Sequence, residues 1–342
     1  MTMNKEKYRL PAEWEPQQAV LIAWPHEATD WAPRLPQVHA TYAAMARAIA
    51  DRADVIAVTP RPSDIPPTLC IKAIECPTND TWTRDYGFIT TLHGKEFRCH
   101  NFKFDGWGLK FASNLDNMVN RHLLLEREMC QPEQYVSELD FVLEGGSIES
   151  DGKGTIMTTS ECLCSLNRNG TADKTVLEDE LRRRLGAERV LWVDHGFLRG
   201  DDTDSHVDTL ARFLPDDVIA ITACDRPDDE HFDELAKMRD QIRTFRTAEG
   251  LSYRIVELPI PEPIFDEDGE RLPATYANFL ITNGAILLPV YGSDKYDTIA
   301  IERMKEACPG YDIVPVDCRE LIRQHGSLHC ATMQIPAETT KL

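Results

Sequence analysis

The sequence predicts a mixed α/β fold assembled from five similar modules that each deliver one loop to a common centre. Three observations lead there. Helical patterns alternate with short β-branched runs; several runs come as adjacent hairpin-like pairs; and five segments rich in reactive side chains recur at near-even intervals. With Asp85, Glu144, His206, Asn278 and Cys330 as markers, the gaps are 59, 62, 72 and 52 residues. The modules carry no clear self-similarity in sequence.

Each element follows from local pattern. Helical periodicity falls over 36–52, 114–129, 172–185 (closed by Gly186), 229–247 and 295–307. Strand patterns fall over 54–60, 86–92, 95–102, 154–160, 189–194, 217–223, 253–259, 278–284, 285–290 and 311–317. Strands arriving in pairs argue against a simple dinucleotide-binding sheet and against an eight-fold βα barrel. Neither GxGxxG nor GxxxxGK[ST] is present, so no nucleotide cofactor is expected. No low-complexity linker divides the 342 residues. One catalytic domain over 1–342 is therefore expected, with the Pro- and acid-rich 259–273 as a surface excursion.

The formal net charge of −20 works against nucleic acid and anionic membranes as partners and suits a cationic substrate. The N-terminal MTMNKEKYRLPAEWEPQ lacks an apolar h-region, and no run of about 18 apolar residues occurs. A cytoplasmic protein without a membrane span is expected. The ten cysteines are scattered without a CxxC pair, so reduced thiols are expected and no disulfide framework. Cys162 and Cys164 lack the further ligands that zinc requires and are read as residues of a strand. No metal site and no cofactor are expected. Whether identical chains associate is not legible.

Five segments put charged or reactive groups beside Gly or aromatic residues: NDTWTRDYG (79–87), LEGGSIESDGKGT (143–155), DDTDSHVDTLARF (201–213), TYANF (275–279) and HGSLHCATMQIP (325–336). In SHVD, His206 and Asp208 are two apart and would share a face of a strand, pairing an acid/base with a carboxylate. A surface His among solvated acids fits the spacing too. DDTD lacks the Gly and Glu of a calcium loop. Cys330 would need a nearby positive charge to become a thiolate, and on composition alone it reads better as a buried structural thiol. His329 is adjacent to it and on a strand would point away, so it is not the base and is expected to be dispensable. Trp82 and Asp85 offer an aromatic wall and an anion to a planar cation, although Arg84 could pair with Asp85 instead. Glu144 precedes Gly145-Gly146, where backbone can come close to a ligand.

AWPHEATDW (23–31), WTRDYG (82–87), FDGWGLKF (104–111), LEGGSI (143–148), SHVDTLARF (205–213), YANF (276–279) and HCATMQIP (329–336) together resemble the agmatine deiminase and bacterial peptidylarginine deiminase family of guanidine-modifying enzymes. The resemblance runs in order over almost the whole chain. It implies a five-bladed α/β propeller (pentein-type) of ββαβ-like modules with a central active site. It also implies roles: Cys330 as nucleophile, His206 as general acid/base, Asp85 and Asp208 as the guanidinium clamp. Glu144 would be the remaining catalytic carboxylate, orienting His206, with Trp82 and Asn278 as lining residues. Three positions depart from the family pattern: Ser205 stands where Gly is usual, Phe88 where Pro is usual, and QHGSLHC (324–330) where GGGNIHC is usual.

On this resemblance the expected activity is hydrolysis of agmatine to N-carbamoylputrescine and ammonia, feeding putrescine synthesis. Peptidylarginine deiminase is the alternative with the same chemistry. A metal ureohydrolase is disfavoured because its clustered carboxylate and His motifs are not seen. A non-catalytic guanidinium-binding protein is disfavoured because binding needs no nucleophile.

Overall fold

The structure, a computed structural model, describes residues 7–340. Sixteen strands among these residues form five small sheets. Four are three-stranded: β4 (Ile89–His93), β5 (Glu96–Lys103) and β6 (Tyr135–Val142); β7 (Ile148–Ser150), β8 (Thr155–Thr159) and β9 (Arg189–Val193); β10 (Ala211–Leu214), β11 (Val218–Ala223) and β12 (Arg254–Pro259); β13 (Leu280–Thr282), β14 (Ala285–Val290) and β15 (Asp312–Asp317). In each, the first two strands are antiparallel and the third is parallel to the second. The parallel step needs a crossover, and helices supply it. The fifth sheet joins the ends of the chain: β16 (Met333–Pro336) pairs antiparallel with β1 (Gln17–Ala23), followed by parallel β2 (Asp54–Thr59) and β3 (Ile71–Glu75). This is the five-bladed ββαβ propeller of the pentein type.

Burial explains the strand patterns. The middle strands β8, β11 and β14 are buried almost throughout, as continuous apolar runs demand, whereas the outer strands β3 and β15 are partly open to solvent and β9 is half-buried. The crossover helices Leu35–Ala50, Lys174–Leu185, Phe232–Ile242 and Asp294–Ala307 lie within a few residues of their predicted spans. The helix at Lys174 starts on an Asp173 cap and stops at left-handed Gly186, as its sequence requires. The span predicted at 114–129 is shorter and mixed: an α-helix over Asp116–Arg121 runs into a π-turn, His122–Glu126. Cys162 and Cys164 do not lie on a strand. The helical turn Ser160–Leu163, capped by the Thr159 hydroxyl, carries Cys162 inward and ends at Cys164.

The five motifs share one structural address. Each places a functional residue just ahead of the first strand of a sheet: Asp85 before β4, Glu144 before β7, Asp208 before β10, Asn278 before β13 and Cys330 before β16. Near-even spacing in sequence is thus one loop per blade, at the same end of the propeller. Among the described residues, no helix is long and apolar enough to cross a membrane.

Candidate active site

Asp85 sits on a single helical turn, Thr83–Tyr86, wedged under the Cys330 segment. The Arg84 amide donates to the Cys330 carbonyl at 3.1 Å, and the Thr83 hydroxyl donates to the carbonyls of Leu21 and Ala331. Arg84 does not pair with Asp85; its guanidinium runs to Gln334 and toward Glu13. Asp85 instead accepts from the Gly146 amide at 3.0 Å and from Trp107 Nε1 at 2.9 Å. Burial, with Asp208 and Glu144 nearby, pushes its carboxyl up to about 6 against the opposing pull of His206.

Trp107 carries no expected role in the sequence, and its placement depends on unusual backbone. Gly106, Trp107, Gly108 and Leu109 all have φ between 57° and 79°. Four successive left-handed residues are costly for the two that carry a Cβ. The turn is held by Asp105, which accepts from Gly108, and by Lys110, which reaches Asp202 and Asp204. The result swings the indole onto Asp85. The spacing of FDGWGLKF shows glycines flanking Trp107, but nothing in it reveals this direction.

His206 does not lie on a strand with Asp208. It precedes the helical turn Val207–Leu210, and the turn rather than strand alternation brings both side chains inward. His206 Nε2 stands 3.3 Å from Glu144 Oε2, and Nδ1 stands 3.6 Å from Asp85 Oδ1 without a hydrogen-bond partner. Burial works to neutralise the ring, but the carboxylate of Asp85 and the contact with Glu144 win, so His206 holds its proton well above the ordinary range. Glu144, fully buried, is kept ionised by His206 and by Arg168, whose Nε lies 2.8 and 3.0 Å from its two oxygens. Arg168 also grips Asp204 and the Thr203 carbonyl, tying Glu144 to the loop ahead of His206. An arginine inside SLNRNG has no signature that would reveal this. Gly146 closes over the cluster: a Cβ there would fall 2.7 Å from His206 Nδ1 and 2.8 Å from Asp85 Oδ1.

Cys330 and His329 occupy a turn, not a strand. Asn278 Oδ1 accepts from the amides of both residues, at 3.2 and 2.9 Å, and from the Cys330 thiol at 3.3 Å. Burial and the nearby carboxylates of Asp208 and Asp85 hold the thiol protonated well above its usual range. His329 does turn aside, to Asp208 and Glu13. Asp208 Oδ2 takes that bond, and its Oδ1 is buried without a partner. Trp82 is buried against Gly326, where any side chain would strike the indole ring.

Above this cluster opens a cavity of about 190 Å³, walled by Trp82, Trp107, Phe111 and Thr209 with Asp85 and Cys330 at its foot. Asp30, Asp80, Asp201 and Asp202 stand around the mouth; burial pushes Asp80 up to about 7. Arg323 also reaches the mouth, but its guanidinium is engaged by both oxygens of Glu267. Two sequence departures fall on this loop system at left-handed backbone: Ser205 at φ 60° and His325 at φ 66°. Glycine suits both positions, which gives the family pattern a conformational reason. Phe88 is fully buried.

Two groups among the described residues bring metal-type donors together: Glu144 with Cys162 and His206, and Glu13 with Glu149 and His329. In each an arginine already occupies the cationic place, Arg168 on Glu144 and Arg212 on Glu13 and Glu149. An ion would have to displace it.

A buried thiol, a protonated imidazole and two carboxylates around a small acidic pocket define a site suited to guanidine-group chemistry. Residues 9–336 match the family described as Porphyromonas-type peptidyl-arginine deiminase, and the chain belongs to this family of guanidine-deiminating hydrolases. The agmatine deiminase of Stutzerimonas stutzeri is 32% identical, covering 98% of this chain and 97% of its own. A substrate-bound C. jejuni agmatine deiminase carrying a cysteine-to-serine substitution superposes with a TM-score of 0.91 at 35% identity, over 98% of each chain. A Porphyromonas gingivalis structure provisionally named arginine deiminase gives 0.92 at 42% identity, covering 98% of this chain and all of its own.

Proposed function

We propose that this chain is an agmatine deiminase, hydrolysing agmatine to N-carbamoylputrescine and ammonia through a covalent amidino-thioether on Cys330. The carrying observation is the Cys330 thiol set beside Asp85 and Asp208 at the foot of a pocket with an acidic mouth. In this reading residues 1–342 act as one catalytic domain, in the cytoplasm, within putrescine synthesis.

A guanidinium carbon is a poor electrophile because the charge spreads over three nitrogens. Asp85 and the open Oδ1 of Asp208 accept its N–H groups and fix the carbon over Cys330. The carboxylates that keep the thiol protonated before substrate binds are then neutralised by the bound cation. Cys330 releases its proton to solvent, and the sulfur bonds to the guanidinium carbon. His206 gives the proton on Nδ1 to one terminal nitrogen of the tetrahedral adduct, and ammonia leaves. The amidino-thioether remains, its charge resting on Asp85 and Asp208. Water next loses a proton to the neutral His206 and bonds to the same carbon; the carbon–sulfur bond breaks as the new hydroxyl gives its proton to the sulfur, so the neutral ureido product departs and Cys330 is a thiol again. Glu144 keeps the ring turned toward the substrate, while Trp82, Trp107 and Asn278 shape the surroundings.

Agmatine has two cationic ends and no carboxylate, which fits the four mouth aspartates. Free arginine brings an α-carboxylate to a rim whose arginine, Arg323, is already paired. An arginine in a peptide lacks that charge, and the P. gingivalis neighbour and the family description carry arginine names; peptidylarginine is the second reading. The test compares kcat/KM for agmatine, arginine and a blocked arginine peptide and identifies the products. Agmatine is expected to lead, with ammonia and a ureido product and with activity surviving EDTA. Faster turnover of the peptide would overturn the substrate, and urea release or a manganese requirement would overturn the thiol chemistry.

A further inference from the structure

We infer that His329 is a positioning residue: it pins one oxygen of Asp208 so that the other is held open for the guanidinium. The inference rests on the proposed function and goes beyond it, because nothing in the sequence gave His329 a part.

The geometry is a continuous chain of buried charge. His329 Nδ1 lies 2.7 Å from Asp208 Oδ2, and Nε2 lies 2.7 Å from Glu13 Oε2. Carboxylates only accept, so each ring nitrogen faces an oxygen to which it can donate. Glu13 cannot drift, since Oε1 accepts from the Ile281 amide at 2.6 Å and Oε2 also accepts from Arg212 at 2.8 Å. Arg212 is anchored in turn by Glu149, and Glu149 by the Phe213 amide. All of these side chains are more than nine-tenths buried.

A carboxylate free to rotate about its Cβ–Cγ bond presents both oxygens equally. Asp208 cannot do so, because Oδ2 is taken and Oδ1 is buried without a partner. An unpaired carboxylate oxygen away from water is costly unless a donor arrives. In this site the arriving donor is a guanidinium N–H. His329 thus acts on the substrate only through Asp208, from the side away from Cys330. The dispensability expected of this residue does not follow from its turning away.

The experiment measures binding by calorimetry in a Cys330→Ala background, so that turnover does not intervene. Agmatine carries the full guanidinium charge, and N-carbamoylputrescine carries a neutral urea at the same place. His329→Gln keeps bulk but can donate to only one of the two carboxylates. Agmatine Kd is expected to rise about tenfold or more, and the urea's by less than about threefold, the difference being that between charge-assisted and neutral hydrogen bonds. Equal shifts for both ligands, or none for either, would overturn the positioning role. If His329→Gln fails to fold, Glu13→Gln decides alone: it removes the charge at Nε2 and leaves one acceptor oxygen for the His329, Arg212 and Ile281 donors, and a smaller but still selective loss is expected. An unselective change there overturns the role equally. Should the wild-type chain turn over only a blocked arginine peptide, the substrate reading fails by itself. The same comparison then runs with that peptide and its citrulline counterpart.

Discussion

Two buried histidines each stand between two carboxylates, and the difference between them divides the work of the site. His329 is gripped at 2.7 Å on both nitrogens, by Asp208 and Glu13. His206 is held at 3.3 Å by Glu144 on one nitrogen and lies 3.6 Å from Asp85 on the other, where Nδ1 has no bond. A ring with both nitrogens committed cannot pass a proton without breaking the cluster around it. A ring with one nitrogen open can. The tight histidine therefore serves geometry and the loose one serves chemistry, although both are equally buried.

The largest effects should come from the groups that change bonds. Cys330→Ala should lower kcat by at least about 10⁴-fold with the fold intact by circular dichroism, since loss of a nucleophile removes a step. A haloacetamidine should label Cys330; labelling solely at another cysteine would break the assignment. His206→Ala should cost roughly 10³- to 10⁴-fold, the upper range for a lost general acid and base. If the loose histidine proves replaceable while His329 does not, the division is reversed.

The comparison sharpens at Asp85, which faces the open side of His206. Its carboxyl is raised to about 6, so the anion that clamps the substrate is present above that pH and lost below it. kcat/KM for agmatine should therefore fall on the acid side with an apparent midpoint near that value. Trp107→Phe removes the indole N–H that favours the charged form of Asp85. It should move the acid limb to higher pH and cost roughly ten- to a hundredfold in kcat/KM, as for a hydrogen bond to a charged group. An unmoved limb would separate Trp107 from the clamp. The smallest effect is expected at Ser205→Gly, which relieves a left-handed residue but deletes the Ser205 bond to Glu161. A stability change within about 1 kcal/mol in the stabilising direction, read by urea melts, and near-normal activity are expected.

Much of this arrangement was legible in the sequence, and the gaps have physical causes. The strands β2, β8, β11 and β14 were readable because these middle strands are apolar and bounded by turns; β1, a buried middle strand as well, was not read from the sequence. β7, β10 and β16 are three or four residues long and sit inside the motifs, where functional side chains mask alternation. Reading SHVD and Cys162–Cys164 as strands failed because a four-residue helical turn has too few residues to show a period of 3.6. The motifs located Asp85, Glu144, His206, Asp208, Asn278 and Cys330. They could not reveal Arg168, Trp107 or Glu13, whose parts depend on contacts between distant segments: Glu13 is 316 residues from His329.

The account turns on a bond between the Cys330 sulfur and the guanidinium carbon. Mixing enzyme with agmatine, quenching in acid within the first turnovers and analysing peptides by mass spectrometry tests that bond directly. The Cys330 peptide is expected to gain the mass of agmatine less ammonia, and the adduct should vanish once substrate is exhausted. Full turnover with an adduct on any other cysteine, or with isotopic oxygen from water entering the product while Cys330→Ala stays active, would contradict it.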